Sequence, residues 1–295
     1  MKPSGNYGKN SLKKITDPKK MQALMEKERR RGKSVGFVPT MGALHEGHLS
    51  LVRRARRENQ IVVASIFVNP LQFGPKEDFK KYPRTFAADR EMLAAEKVDY
   101  LFSPTVKNFY AGDFSTSIKT ERLAERLCGQ FRPGHFEGVV TVVAKLFNLV
   151  RPTHAYFGAK DYQQAVVIRR MNRDLNFGCK VRILPTVREK NGLAMSSRNR
   201  YLNAGERKRA AEISQTLFWV RDQIASGKRN IPALRRQAAR RLRHFVDGIQ
   251  YFEIVDPENL KPLGRYQPRM VVLTACFVGK TRLIDNVIMR FSNRN

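Results

Sequence analysis

Two histidines three residues apart, His45 and His48, stand among glycines in PTMGALHEGH (39–48), which follows an apolar run and precedes LSLVRRARRE (49–58). A loop between a buried strand and a helix is where open α/β sheets bind ligands, because the helix N-terminus offers unpaired N–H groups and a positive dipole to phosphate. Gly42 and Gly47 let backbone approach a ligand closely. Two imidazoles on one side of the first helical turn can both donate hydrogen bonds to phosphate oxygens. The spacing is neither GxGxxG nor GxxxxGK[ST], which argues against a dinucleotide or Walker-type site. Two rival readings are a structural turn with satisfied histidines and a metal pair. The second is disfavoured because no Asp, Cys or third His stands near enough in sequence to complete it.

Four further segments carry groups that could do chemistry. In GAKDYQQ (158–164), Lys160 is a point charge for phosphate, and Asp161 could accept from a ribose hydroxyl or hold a metal. Gln164 follows one helical turn beyond Lys160, though taken alone the set reads as a surface feature. MSSRN (195–199) offers the hydroxyls of Ser196 and Ser197 and the guanidinium of Arg198 on a polar loop, suited to grip a leaving pyrophosphate and to move, or else to cap a helix. In FVNPLQF (67–73), Pro70 stops a buried strand and two neutral amides, Asn69 and Gln72, emerge at its end. Such groups suit a hydroxyl or carboxylate of a small polar substrate, and Asn-Pro is equally an ordinary turn signal. RPGHFEGVVTVVAKLFNLV (132–150) reads as a buried helix with His135 its one functional candidate.

These segments need elements to hold them. Asp17 and Pro18 start a helix that ends at Gly32. SVGFV (34–38), IVVASIF (61–67), DYLF (99–102), HAYFG (154–158) and KVRIL (180–184) read as strands alternating with helical stretches near 89–95, 139–150 and 161–175. That alternation predicts a parallel sheet covered on both faces, hence an α/β fold. From about 186 the texture changes. A polar segment leads to a long helix opened by Asn203 with Glu206 at capping-box spacing, then a basic helix, then strand-like runs at 250–256, 270–278 and 282–288. The expected division is 1–185 and 186–295, the second part a smaller α+β domain.

Among 295 residues, 56 Lys and Arg against 26 Asp and Glu leave a net charge of +30, while 42% hydrophobic content excludes disorder by composition. The densest basic run, Lys228 to Arg243, also carries Ile231, Leu234, Ala238, Leu242 and Phe245 at helical spacing, so its arginines form a solvated face. With no RNA-binding signature beside it, the charge reads as a generally basic surface and not as a nucleic-acid site. Cys128, Cys179 and Cys276 form no CxxC pair and read as reduced, buried thiols. The polar N-terminal ten residues lack a secretory signal, and no window is apolar enough to span a membrane, so a cytoplasmic location is expected.

With these residues assembled, the chain resembles the pantoate–β-alanine ligase family. PTMGALHEGH, FVNPLQF, YPRT (82–85), RPGHFEGVVTVVAKLFN, FGAKDYQQ, GLAMSSRN and TRLIDN (281–286) occur in the family's order and spacing. The resemblance implies a Rossmann-like domain binding ATP and pantoate, a C-terminal lid and a homodimer. It also implies kinship with nucleotidyltransferases and class I aminoacyl-tRNA synthetases, HEGH standing for their HIGH motif and MSSRN for their mobile KMSKS loop. It implies ATP as substrate with Mg2+, no secure protein metal ligand, and a pantoyl-adenylate that β-alanine attacks. Carried over by position, Met41, Gly42, Ala43, Leu44, His45, Glu46, Gly47 and His48 would hold ATP, His48 as proton donor. Gly158, Ala159, Lys160, Asp161, Val187, Met195, Ser196, Ser197 and Arg198 would complete the nucleotide site, with His45, His48, Lys160 and Arg198 catalytic. Gln72 and Gln164 would bind pantoate, and Gln72 and Asn69 β-alanine. Two positions depart from the family's pattern, Ala159 where Glu or Gln is more frequent and Asn191 where Asp is usual.

Overall fold

The structure, a computed structural model, describes residues 12–75 and 77–291; the N-terminal ten residues read above for targeting lie outside them. The described chain forms two compact units, one of residues up to 118, 138–157 and 169–184, the other of 119–137, 158–168 and 185 onward.

The first unit is built on a parallel sheet. In chain order its elements are β1 (Lys13–Ile15), α1 (Pro18–Arg30), β2 (Val35–Thr40), α2 (Glu46–Glu58), β3 (Ile61–Ile66), α3 (Phe86–Ala95), β4 (Tyr100–Phe102) and the short α4 (Val106–Phe109). Farther along the chain, past the short α5 (Cys128–Phe131) of the second unit, come α6 (His135–Val150), β5 (His154–Gly158), α7 (Tyr162–Asp174), whose residues to 168 group with the second unit, and β6 (Lys180–Leu184). The strands lie in the order β1-β4-β3-β2-β5-β6, and the order reverses between β2 and β5. Such a reversal is the point where open α/β sheets bind ligands beyond their carboxyl ends. β2 ends at Thr40, directly before the histidine loop.

Local signals account for these elements. The Asp17 side chain accepts from Lys20 N–H at the start of α1, Pro18 takes a first-turn position where no N–H is needed, and Met21 and Met25 are buried on one face. Phe37 and Val38 on β2 and Val62 to Ala64 on β3 have no exposed surface, as strands covered on both faces require. β1 carries no such signal, being three residues, KKI, with two exposed, on the sheet edge beside β4.

The second unit holds α8 (Ala204–Ala225), α9 (Ile231–Arg243) and an antiparallel sheet of β7 (Gly248–Val255), β8 (Arg269–Val278) and β9 (Thr281–Arg290) in that order. Asn203 and Glu206 close a reciprocal cap on α8. Ile231, Leu234, Ala238 and Leu242 of α9 join Ile213, Leu217 and Val272 in one core, leaving Arg236, Arg240 and Arg243 outside. The last segment of this unit begins at Pro185, and the unit also takes in 119–137 and 158–168, which hydrogen-bond to its sheet. Cys128 Sγ lies 3.1 Å from the Tyr251 hydroxyl and 3.3 Å from Arg282, and the Tyr162 hydroxyl donates to Pro257 O. All three cysteines are buried and unbridged.

Candidate active site

The histidine loop is built on two left-handed residues, Gly42 at φ +80° and Ala43 at φ +50°, a conformation that costs a residue with a Cβ unless its surroundings impose it. A buried carboxylate imposes it. Asp89 of α3, 1% exposed, accepts from Ala43 N–H at 2.9 Å, Leu44 N–H at 2.8 Å and the Thr85 hydroxyl at 3.1 Å. The Thr40 hydroxyl accepts from Gly42 N–H and donates to Ser65 O, tying the loop to β3. Ala43 and Leu44 are themselves buried with their N–H groups committed to Asp89, so they shape the loop from beneath.

The loop delivers two imidazoles to the first turn of α2. His45 is the N-cap, its Nδ1 accepting from Gly47 N–H at 3.2 Å, and His48 Nδ1 accepts from His45 N–H at 3.3 Å. The ring centroids lie 4.1 Å apart. A ring nitrogen that accepts from an N–H carries no proton, so both rings are Nε2–H tautomers. The satisfied-cap reading and the donor reading of this pair are therefore compatible. Glu46 is ion-paired with Arg53.

Gln72 sits in the same unit, in a short 3-10 turn (Pro70–Gln72) behind Asn69. Asn69 is 1% exposed with every hydrogen-bonding valence used. Its Nδ2 donates to Gln72 Oε1 at 3.1 Å and Gly138 O at 3.0 Å, and its Oδ1 accepts from Leu71 N–H at 3.2 Å and the Tyr110 hydroxyl at 2.9 Å. Burial raises the Tyr110 pKa well above its ordinary value, which keeps that hydroxyl a donor. With Oε1 engaged, the Gln72 amide donates from Nε2 to Met41 Sδ at 3.1 Å. Asn69 thus acts by fixing which way Gln72 faces.

In the second unit, Lys160, Asp161 and Gln164 line one cleft with Arg132, His135, Tyr251 and Asp285. Lys160 and Asp161 are 3.7 Å apart, and no protein atom lies within 4 Å of where a Cβ would stand on Gly158, so the fold does not demand glycine there. Residues 187–195 form a tight hairpin in which Met195 N–H donates to Val187 O, and the Asn191 side chain accepts from Leu193 N–H, as an Asp would. Ser196 then caps a 3-10 turn (Ser197–Tyr201), its hydroxyl accepting from Arg198 N–H. Sequence reasoning passed over the groups beneath these segments, Asp89, Arg188, Asp285 and Asn286. Asp285 and Asn286 stood within a quoted motif, but no local spacing announced a role.

A parallel sheet with chemistry-bearing loops beyond its strands places the molecule among the Rossmann-like α/β enzymes. The family model described as pantoate-beta-alanine ligase matches residues 13–288. The chain is 52% identical to the pantothenate synthetase of Thermosipho melanesiensis over 88% of this chain and 92% of that one. It is 50% identical to that of Thermotoga petrophila over 94% of this chain and all of the relative. The crystal structure of the Thermus thermophilus pantothenate synthetase superposes with a TM-score of 0.89 at 46% identity, covering 94% of this chain and 99% of that one. The pantoate–β-alanine ligase of Francisella tularensis, solved in complex with a β,γ-ATP and β-alanine, superposes at 0.77 with 33% identity over 94% and 98%. The chain belongs to the pantoate–β-alanine ligase family.

Proposed function

We propose that this ligase makes pantothenate through an enzyme-bound pantoyl-adenylate. A carboxylate is a poor acylating agent. Attack of the pantoate carboxylate on the α-phosphorus of ATP forms a mixed anhydride and expels pyrophosphate, and the β-alanine amine then attacks the acyl carbon and displaces AMP. The observation that carries the reading is the reciprocal cap of His45 and His48, whose Nδ1 atoms accept from backbone N–H groups, which leaves Nε2–H of each ring as the donor. Donors fixed before the reaction stabilise developing charge without reorganising. In this reading His48 is the proton donor with His45 beside it on the phosphates. Lys160 and Arg198, with the hydroxyls of Ser196 and Ser197 as hydrogen-bond donors, stabilise charge on the phosphate oxygens as pyrophosphate leaves.

Gln72 presents N–H to the pantoate carboxylate or hydroxyls with Gln164, and Asn69 serves the β-alanine step by holding Gln72. Gly158 leaves room for the nucleotide, the Val187 main chain meets adenine, and Met41, Gly42, Glu46, Gly47, Ala159, Asp161 and Met195 border the ATP. Residues 1–185 act as the ATP- and pantoate-binding domain and 186–295 as the lid. Mg2+ travels with the triphosphate. Phosphate oxygens and water would be its main ligands; among the described residues no group of three or more His, Cys, Asp or Glu could hold a metal ion. No helix among the described residues is long and apolar enough to cross a membrane. The working form is a cytoplasmic homodimer, which sedimentation would check.

The test is pantoate-dependent exchange of labelled pyrophosphate into ATP without β-alanine. Exchange that requires pantoate supports the adenylate; none, from folded protein with ATP and Mg2+, removes it. His48→Ala should lower the exchange rate by about 10²- to 10⁴-fold. It should also lower Tm by a few degrees, because a lost cap costs about 1 kcal/mol. Near-normal exchange would take His48 out of the reaction.

A further inference from the structure

Two adjacent side chains on β9, Asp285 and Asn286, are each about 4% exposed in the second unit. Neither has a part in the reaction as described. The Asn286 amide uses both of its hydrogens on one turn, donating from Nδ2 to Ala159 O at 2.8 Å and Lys160 O at 2.9 Å. Asp285 holds the Arg188 guanidinium with both oxygens, at 2.6 Å and 3.0 Å. Arg188 in turn donates to Gly192 O at 3.1 Å and Asn286 O at 3.2 Å, and its guanidinium lies 5.0 Å from the centre of the Phe218 ring. It therefore clamps the 187–195 hairpin that runs into Ser196. Successive residues of a strand project to opposite faces, so one dipeptide reaches two segments at once.

We propose that Asp285 and Asn286 form a positioning pair for the phosphate-binding groups, Asn286 fixing the main chain that presents Lys160, and Asp285, through Arg188, fixing the hairpin that leads into Ser196, Ser197 and Arg198. The proposal rests on the phosphate roles given above to those residues. It follows from the chemistry of the contacts. The turn is held by two donors from one buried amide, so the Lys160 ammonium starts from a fixed base. Burial, the largest influence, raises the Asp285 pKa, opposed by Arg188 and, further down, Lys160, so the carboxyl lies within the field of the lysine whose main chain its neighbour Asn286 holds.

The experiment compares Asn286→Ala, Asn286→Asp, Lys160→Ala and the double variant Lys160→Ala/Asn286→Ala in pyrophosphate exchange. Asn286→Ala should lower kcat about tenfold while the pantoate KM stays within about twofold. Asn286→Asp should be worse, since a carboxylate would face two carbonyl oxygens. The double variant should be no slower than Lys160→Ala, because a lysine that is absent cannot be misplaced. Folded Asn286→Ala with normal kcat, or losses that simply multiply in the double variant, would overturn the proposal. If Asn286→Ala does not fold, Arg188→Lys tests the other arm, keeping the charge but losing the two-pronged grip. It should raise the ATP KM and lower kcat with the pantoate KM unchanged, and unaltered kinetics would refute that arm. Exchange untouched by Lys160→Ala would instead overturn the role of Lys160 itself, and the proposal with it.

Discussion

His154 opens β5 with its Nδ1 2.9 Å from Asn59 Oδ1, beside a network in which the Tyr156 hydroxyl donates to Glu58 and accepts from Asn59. Burial, and after it the Arg182 cation, hold its pKa below the ordinary 6.5, with Glu58 pulling the other way. Because the folded value is the lower one, the unfolded chain binds the extra proton first. The stability from this site is then complete above the unfolded value and is lost as pH falls through it toward the folded one. Tm should drop between pH 7.5 and pH 5.5, and His154→Gln should drop less over the same interval; parallel losses would clear His154. At this scale the sequence was legible where chemistry is local. His45, His48 and Gln72 stand out as candidates within windows of a few residues, whereas Lys160 read alone is a surface feature. Asp89 does not stand out, since it reaches Leu44 across 45 positions, and Asn286 reaches Ala159 across 127. The residues that aim the chemistry were hidden because folding, not spacing, brings them to it.

Helix α6 is apolar on most sides and reads as core, yet one of its turns also sets the amide of Gln72. A Cβ on Gly138 would lie 2.2 Å from Leu71 O and 2.6 Å from Gln72 N, and Gly138 O accepts from Asn69. Gly138→Ala must therefore push the Pro70–Gln72 turn away, at about 1–3 kcal/mol of overpacking. The pantoate KM should rise about tenfold with the ATP KM little changed, whereas equal effects on both substrates would mean that Gln72 does not bind pantoate. Elements with a cap or an apolar run were legible, α1 from Asp17 and Pro18, α8 from Asn203 and Glu206, β2 and β3 from their hydrophobic stretches. β1 was not, because a three-residue edge strand half open to solvent needs no apolar pattern. Nor did any composition shift show that 119–137 and 158–168 group with the C-terminal sheet, since hydrogen bonds such as that from Tyr162 to Pro257 decide it.

The molecule as a whole carries +30 formal charges, and some of its arginines are neutralised locally, Arg235 by Glu253 and Arg209 by Asp247. Arg236, Arg240 and Arg243 of α9 are exposed, and the net field they join attracts anions over distances set by ionic strength, about 10 Å at 0.1 M salt. Since pantoate and ATP are both anions, kcat/KM for each should fall as KCl rises from about 50 to 500 mM, with kcat less affected. Arg236→Gln/Arg240→Gln/Arg243→Gln should flatten that dependence. A salt response identical to that of the parent would mean that these three arginines do not steer substrate.

The mutual cap of His45 and His48 has a bearing on how this activity is traced through genomes. A descendant that had abandoned the reaction would still be penalised for replacing either imidazole, because the first turn of α2 would fray, so the pair can outlive the catalysis proposed for it. Lys160, whose ammonium closes no turn of its own, has no such second tenure. If Lys160 has the phosphate role proposed for it, its loss from a distant homologue would mark the end of the chemistry sooner than the loss of either histidine.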